Sequence, residues 1–150
     1  MERDFVEMLS ALNAAGVEYL VVGAHAMAAH GVPRATGDLD IWVRATSENA
    51  PRVLDALREF GAPLFDLTLD DLSKPENVFQ IGVVPVRIDL LTSITGVGFE
   101  EAWAGRMEIL VEGVPFGVIG RVDLLRNKRA TGRPKDLLDA ATLEEKTPGS

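Results

Sequence analysis

Over residues 36–43 apolar and acidic positions alternate. Leu39, Ile41 and Val43 fall on one parity, and Asp38 and Asp40 on the other. A period of two belongs to a half-buried strand, so one face meets a core while the other carries two carboxylates. A second alternation runs over 84–91. There Val86, Ile88 and Leu90 share one face, and Arg87, Asp89 and Leu91 share the other. Residues 19–23 form a short β-branched run ended by Gly23, which reads as a buried strand. Residues 77–81 read as a strand that pairs with the Asp89 strand through a turn near Gly82. Residues 107–119 read as a hairpin turning at Glu112 and Gly113.

Helical spacing fills the intervals. Phe5, Met8, Leu9 and Leu12 mark a helix over 3–15, closed by Gly16. The alanine-rich stretch 24–30 has helix propensity, and 31–33 stops it. Ser47 is placed to cap a helix carrying Val53, Leu54, Leu57 and Phe60, with Gly61 after it. A single helical turn over 70–73, a short helix over 99–105 and two closing helices over 121–130 and 134–145 complete the pattern. Pro134 suits a first helical turn. The predicted class is α/β (α+β): a small mixed β-sheet flanked by helices, with helices at the C-terminal end. Residues 1–146 are expected to form one domain and 147–150 a frayed tail.

Composition narrows this further. With 47% hydrophobic residues over 150 positions, the chain can bury one real core. It has no cysteine, which excludes disulfides, thiolate metal sites and cysteine nucleophiles. No secretory signal pattern opens the sequence and no run of about 18 apolar residues could span a bilayer, so no membrane role and a cytoplasmic location are expected. The formal charge of −8 argues against broad affinity for nucleic acid. Between Arg121 and Lys135, however, Arg126, Lys128, Arg129 and Arg133 form a local basic segment.

The candidate chemistry begins with Asp38 and Asp40. On one strand face their Cα atoms lie roughly 6.5–7 Å apart. Like charges held so close are explained by a divalent cation such as Mg²⁺, or else by a solvated edge strand with two surface aspartates. Upstream, Gly23 and Ala24 join a strand to a helix start, where free backbone N–H groups make a phosphate cradle. Asp89 is an acid within an apolar strand, read either as a salt-bridged residue or as a metal ligand and proton acceptor. Arg34 and Thr36 border the acidic strand. They are either loop chemistry or, for Arg34, a bidentate phosphate contact.

Taken together, Gly23-Ala24, Asp38-Leu39-Asp40 and Asp89 resemble the signature of the nucleotidyltransferase superfamily, whose fold is that of DNA polymerase beta. Residues 31–40 and 128–139 are similar to the branch that includes abortive-infection toxins of toxin–antitoxin pairs. The resemblance spans about residues 19–143. The family often has serine or a second glycine where this chain has Ala24, so a hydroxyl is lost and a backbone N–H remains.

The resemblance implies two Mg²⁺ (or Mn²⁺) ions held by Asp38, Asp40 and Asp89, with an NTP as substrate. It implies phosphates at Gly23 and Ala24, and Lys128 as a cation reaching the triphosphate. A nucleoside monophosphate would pass to a hydroxyl of RNA (tRNA included), a protein or a small molecule, with a protein partner if the chain belongs to a toxin–antitoxin pair. The rival reading is a non-catalytic nucleotide-binding or interaction module, which Ala24 favours and the intact carboxylates disfavour.

Other residues have plainer readings. His25 and His30 are five apart and do not share the helix face that a metal pair needs. Asp136 and Asp139 read as cap and salt-bridge chemistry. Trp42 and Trp103 could stack a base but suit packing better. The basic segment could meet an RNA backbone.

Overall fold

The structure, a computed structural model, describes residues 1–83 and 86–146. In chain order its elements are α1 (Arg3–Ala14), β1 (Tyr19–Val22), α2 (Gly23–Ala29), β2 (Asp38–Val43), α3 (Asn49–Phe60), α4 (Leu69–Ser73) and β3 (Val78–Val83). Then follow β4 (Val86–Leu91), α5 (Phe99–Ala104), β5 (Met107–Val111), β6 (Val114–Val118), α6 (Arg121–Thr131) and α7 (Pro134–Glu145). The expected α/β class is the observed one. Six strands form one mixed sheet in the order β3-β4-β2-β1-β6-β5. Strands β1 and β2 are antiparallel, as are the edge pairs β3–β4 and β5–β6. The pairs β2–β4 and β1–β6 are parallel.

Hydrophobic alternation explains the layering. Leu39, Ile41 and Val43 of β2, with Ile88 and Leu90 of β4, are buried among Phe5, Met8, Leu9 and Leu12 of α1 and Val53 and Leu57 of α3. All four residues of β1 are buried, as befits a central strand. Asn49 ties these layers together. Its side-chain oxygen accepts from the Glu18 N–H at 2.9 Å, and its amide nitrogen donates to the Glu18 and Arg44 carbonyls, each at 3.0 Å. These bonds account for a polar side chain that is 1% exposed.

Several local expectations change. Ser47 does not cap α3; the Thr46 hydroxyl accepts from the Asn49 N–H at 3.1 Å instead. Gly82 lies inside β3 rather than at its turn, and the β3–β4 connection falls on 84 and 85, outside the described residues. The short turn at α4 is a true capping box, with Thr68 and Asp71 bonding each other's backbone N–H. The β5–β6 hairpin turns at Glu112 and Gly113, both at positive φ, as a two-residue primed turn requires. The tail expected at 147–150 also lies outside the described residues. Among the described residues, no helix is long and apolar enough to cross a membrane.

Candidate functional site

The non-core face of β2 and β4 carries the charges. Parallel register sets Asp40 beside Asp89 and Asp38 beside Arg87. Alternation puts Arg87 on the same face as Asp89, so its guanidinium falls between two carboxylates. Arg87 Nη2 donates to Asp38 Oδ2 at 2.8 Å, and Arg87 Nε lies 3.1 Å from Asp89 Oδ1. The second contact is close but out of line. Both Arg87 Nε and Asp89 Oδ1 are buried without a hydrogen-bond partner.

Asp40 lies in the middle of this group. Its carboxyl is pushed up from 3.8 to about 6, first by burial and then by the charges of Asp89 and Asp38, with Arg87 opposing. The turn from β1 into α2 makes room for it. Gly23 takes φ +68°, and a Cβ there would run into Asp40 Oδ2. Glycine is therefore required twice, by its backbone conformation and by the carboxylate packed against its Cα. No side chain caps the start of α2.

The acidic face opens onto a cleft of about 520 Å³. Gly23, Ala24, Arg34, Thr36, Asp38, Asp40 and Lys128 all line it, so seven of the residues singled out in the sequence meet in one space. Asp89, with a side chain 13% exposed, and Arg87 stand beside the cleft rather than on its lining. Thr36 shapes the entry of β2, its hydroxyl accepting from the Asp38 N–H at 3.0 Å.

The far wall comes from α6 and α7, and here the expectations need correction. Asp136 and Asp139 form the expected salt bridges, with Asp136 in the first turn of α7, but they do so as buried acids of the cleft wall. Lys128 does not stand free for a triphosphate. Its ammonium lies 3.3 Å from Asp136 and 3.2 Å from Asp139. Arg34 is likewise paired with Asp139, and Arg133 with Asp136 at 2.8 Å. Burial works to raise the Asp136 carboxyl. Hydrogen bonds from Thr131 and Arg133 and the charge of Lys128 outweigh it and hold the carboxyl below its ordinary value.

The rest of the basic segment is also largely partnered. Arg126 pairs with Glu101, Arg129 with Glu144, and Arg121 donates to the Leu143 carbonyl at 3.1 Å. Arg126 and Arg129 thus reach toward α5 and α7 respectively, each still about half exposed. Trp42 is buried edge-on against Phe99, and Trp103 stacks on Phe99 with the Arg106 guanidinium carbon 3.9 Å from its ring centroid, so both serve packing. His25 packs edge-on against Phe5, and His30 Nε2 bonds the Ile119 carbonyl at 2.8 Å.

Arg87 is the site residue that the motif reading passed over. Its alternation with Asp89 was visible, but only the β2–β4 register reveals that it also meets Asp38. Among the described residues, no three carboxylate or imidazole groups are gathered tightly enough to enclose a metal ion as they stand. The donor set nevertheless fits a hard divalent cation. It consists of carboxylate oxygens alone, and Asp89 Oδ1 is buried with an unused lone pair.

No protein-family model and no curated protein match the chain. Among solved structures, it is similar to a crystallised Thermotoga maritima protein described as a "putative nucleotidyltransferase". The TM-score is 0.59 at 14% sequence identity, over 95% of this chain and 89% of that one. At that identity the likeness shows a common fold.

Proposed function

We propose that this chain is a nucleotidyltransferase that moves a nucleoside monophosphate from an NTP to a hydroxyl acceptor. The observation that carries the reading is that Asp38, Asp40 and Asp89 share the non-core face of two neighbouring parallel strands, beside a glycine turn and opposite a cation-bearing wall. Asp38, Asp40 and Asp89 would hold Mg²⁺ or Mn²⁺, which when bound supplies charge neutralisation on the phosphates and on the attacking and leaving oxygens. The N–H groups at Gly23 and Ala24 would bind phosphate oxygens. Lys128, aimed by Asp136 and Asp139, would lend positive charge to the triphosphate.

In the reaction, the acceptor hydroxyl oxygen forms a bond to the α-phosphorus and the bridging α–β P–O bond breaks. Pyrophosphate leaves with that electron pair, and the hydroxyl proton passes to Asp89, whose Oδ1 accepts no hydrogen bond. The fold likeness and the three-carboxylate arrangement support this reading. A place in a toxin–antitoxin pair, with a cognate protein partner, belongs to the same proposal and rests on the similarity of 31–40 and 128–139 to that branch.

One observation favours the rival, a non-catalytic nucleotide-binding module: Arg87 already neutralises Asp38 and Asp89 in part. The test is incubation with each α-labelled NTP and Mg²⁺ or Mn²⁺, with total RNA, whole lysate protein and small-molecule extract as separate acceptors. Wild type should transfer label to one acceptor class, and Asp40→Asn should lose transfer by at least about 100-fold while remaining folded. No transfer with any NTP, alongside retained nucleotide binding, would establish the module instead.

A further inference from the structure

The placement of Arg87 carries a consequence for how the cation enters. Strand alternation puts its guanidinium on the Asp89 face, and the parallel register puts Asp38 opposite it. The group therefore stands where a cation shared by Asp38 and Asp89 would have to sit. Its hold is incomplete. One bond, to Asp38 at 2.8 Å, is well formed, whereas the Nη2 contact to Asp89 is long at 3.4 Å and Nε, although 3.1 Å from Asp89 Oδ1, makes no formed hydrogen bond. A permanent guanidinium–carboxylate clamp would show two parallel, in-line bonds to one carboxylate. The side chain is 29% exposed, so it has a way out. Across the sheet its partner position on β3 is Gly82, which presents no side chain to fence it in.

We propose that Arg87 is a resident counter-ion that competes with the divalent cation for Asp38 and Asp89, and that the phosphates of the incoming nucleotide release it. The inference rests on the metal-dependent reading above. Three carboxylates attract a cation strongly, but a guanidinium among them repels it. A bare ion therefore has to displace Arg87 with nothing to receive it. A metal–polyphosphate complex brings anionic oxygens to which the guanidinium can turn, and arginine's fork suits them. The cation then binds well only with its substrate, which keeps the site from filling with metal alone.

The test uses the full chain with two probes: Mn²⁺ alone, and the Mn²⁺ complex of inorganic tripolyphosphate, which carries the phosphate chemistry common to every NTP. Binding is read by calorimetry and by the Mn²⁺ electron paramagnetic resonance signal. Wild type should prefer the complex. Arg87→Met, which keeps the aliphatic stem and removes the charge, should bind bare Mn²⁺ tighter by roughly 10-fold or more, since the removed charge lies within a few ångströms of the ion. The same variant should lose most of the preference for the complex. Arg87→Gln serves as the second variant should Arg87→Met fail to fold.

A role confined to holding β2 against β4 would lower stability in both variants and leave the ratio of the two affinities unchanged. That result would overturn the proposal. If bare Mn²⁺ binds wild type and Arg87→Met equally while Asp40→Asn abolishes binding, the competition is wrong and the metal site stands. If neither probe binds wild type or either variant, the metal-dependent reading fails and the proposal falls with it.

Discussion

Asp40 sits half-buried between two other carboxylates, and its chemistry shows at the scale of a single proton. Its carboxyl is raised to about 6, whereas in the unfolded chain it returns to an ordinary value near 3.9. Folded protein therefore holds this proton more tightly than unfolded protein does. Stability from this group is complete below pH ~4 and is lost as pH rises through about 6. In the absence of divalent cations, Asp40→Asn should melt higher than wild type at pH 7.5, and the gain should vanish as pH falls to ~4. Calorimetric scans in chelator across that range test it; a gain independent of pH would show that charge repulsion at Asp40 is not its cause. Gly23 belongs to the same argument. A larger residue there would crowd phosphates and would also push the Asp40 carboxylate away. Loss of nucleotide binding in Gly23→Val would thus report on both the turn and the acid.

At the scale of elements, α6 and α7 form the wall that the sheet faces across the cleft. Two acids on α7, Asp136 and Asp139, hold Lys128 of α6 together with Arg34 and Arg133. Lys128 is consequently a structural cation as well as a proposed substrate contact. Lys128→Ala leaves two buried carboxylates short of one shared partner while Arg34 and Arg133 remain, so it should destabilise the protein by about 1–3 kcal/mol. An exposed lysine would change stability by no more than ~0.5 kcal/mol. Urea unfolding distinguishes the two. A phosphate role for Lys128 is then judged by nucleotide affinity at denaturant-free conditions where both proteins are fully folded.

At the scale of the whole molecule, a chain of formal charge −8 meets any RNA acceptor against its own field. Within the basic segment, Arg126 and Arg129 are already paired with Glu101 and Glu144. Arg126→Ala and Arg129→Ala should leave the salt dependence of labelling into RNA unchanged. Loss of one phosphate contact by either arginine would instead lower the slope by about 1. Incorporation measured at several salt concentrations separates these outcomes, and a fall in slope would restore the segment as an RNA-contacting surface.

Periodicity alone determined most of the elements and the parity of their faces. The two-residue repeat assigned Asp38, Asp40 and Asp89 to non-core faces, and Gly23 marked the break between strand and helix, because these are local steric properties of the backbone. Near-neighbour details were less legible. Thr46 rather than Ser47 accepts from the Asn49 N–H at the start of α3, and Gly82 lies within β3, since several residues in each stretch offer the same local chemistry. What no local pattern could supply was the company each charge keeps. That Arg87 divides its contacts between Asp38 and Asp89, and that Lys128 is held by Asp136 and Asp139, depends on strand order, on parallel register and on how α6 packs against α7. A charge's partners are set by distances across the fold, and those distances exist only once the long-range pairings have closed.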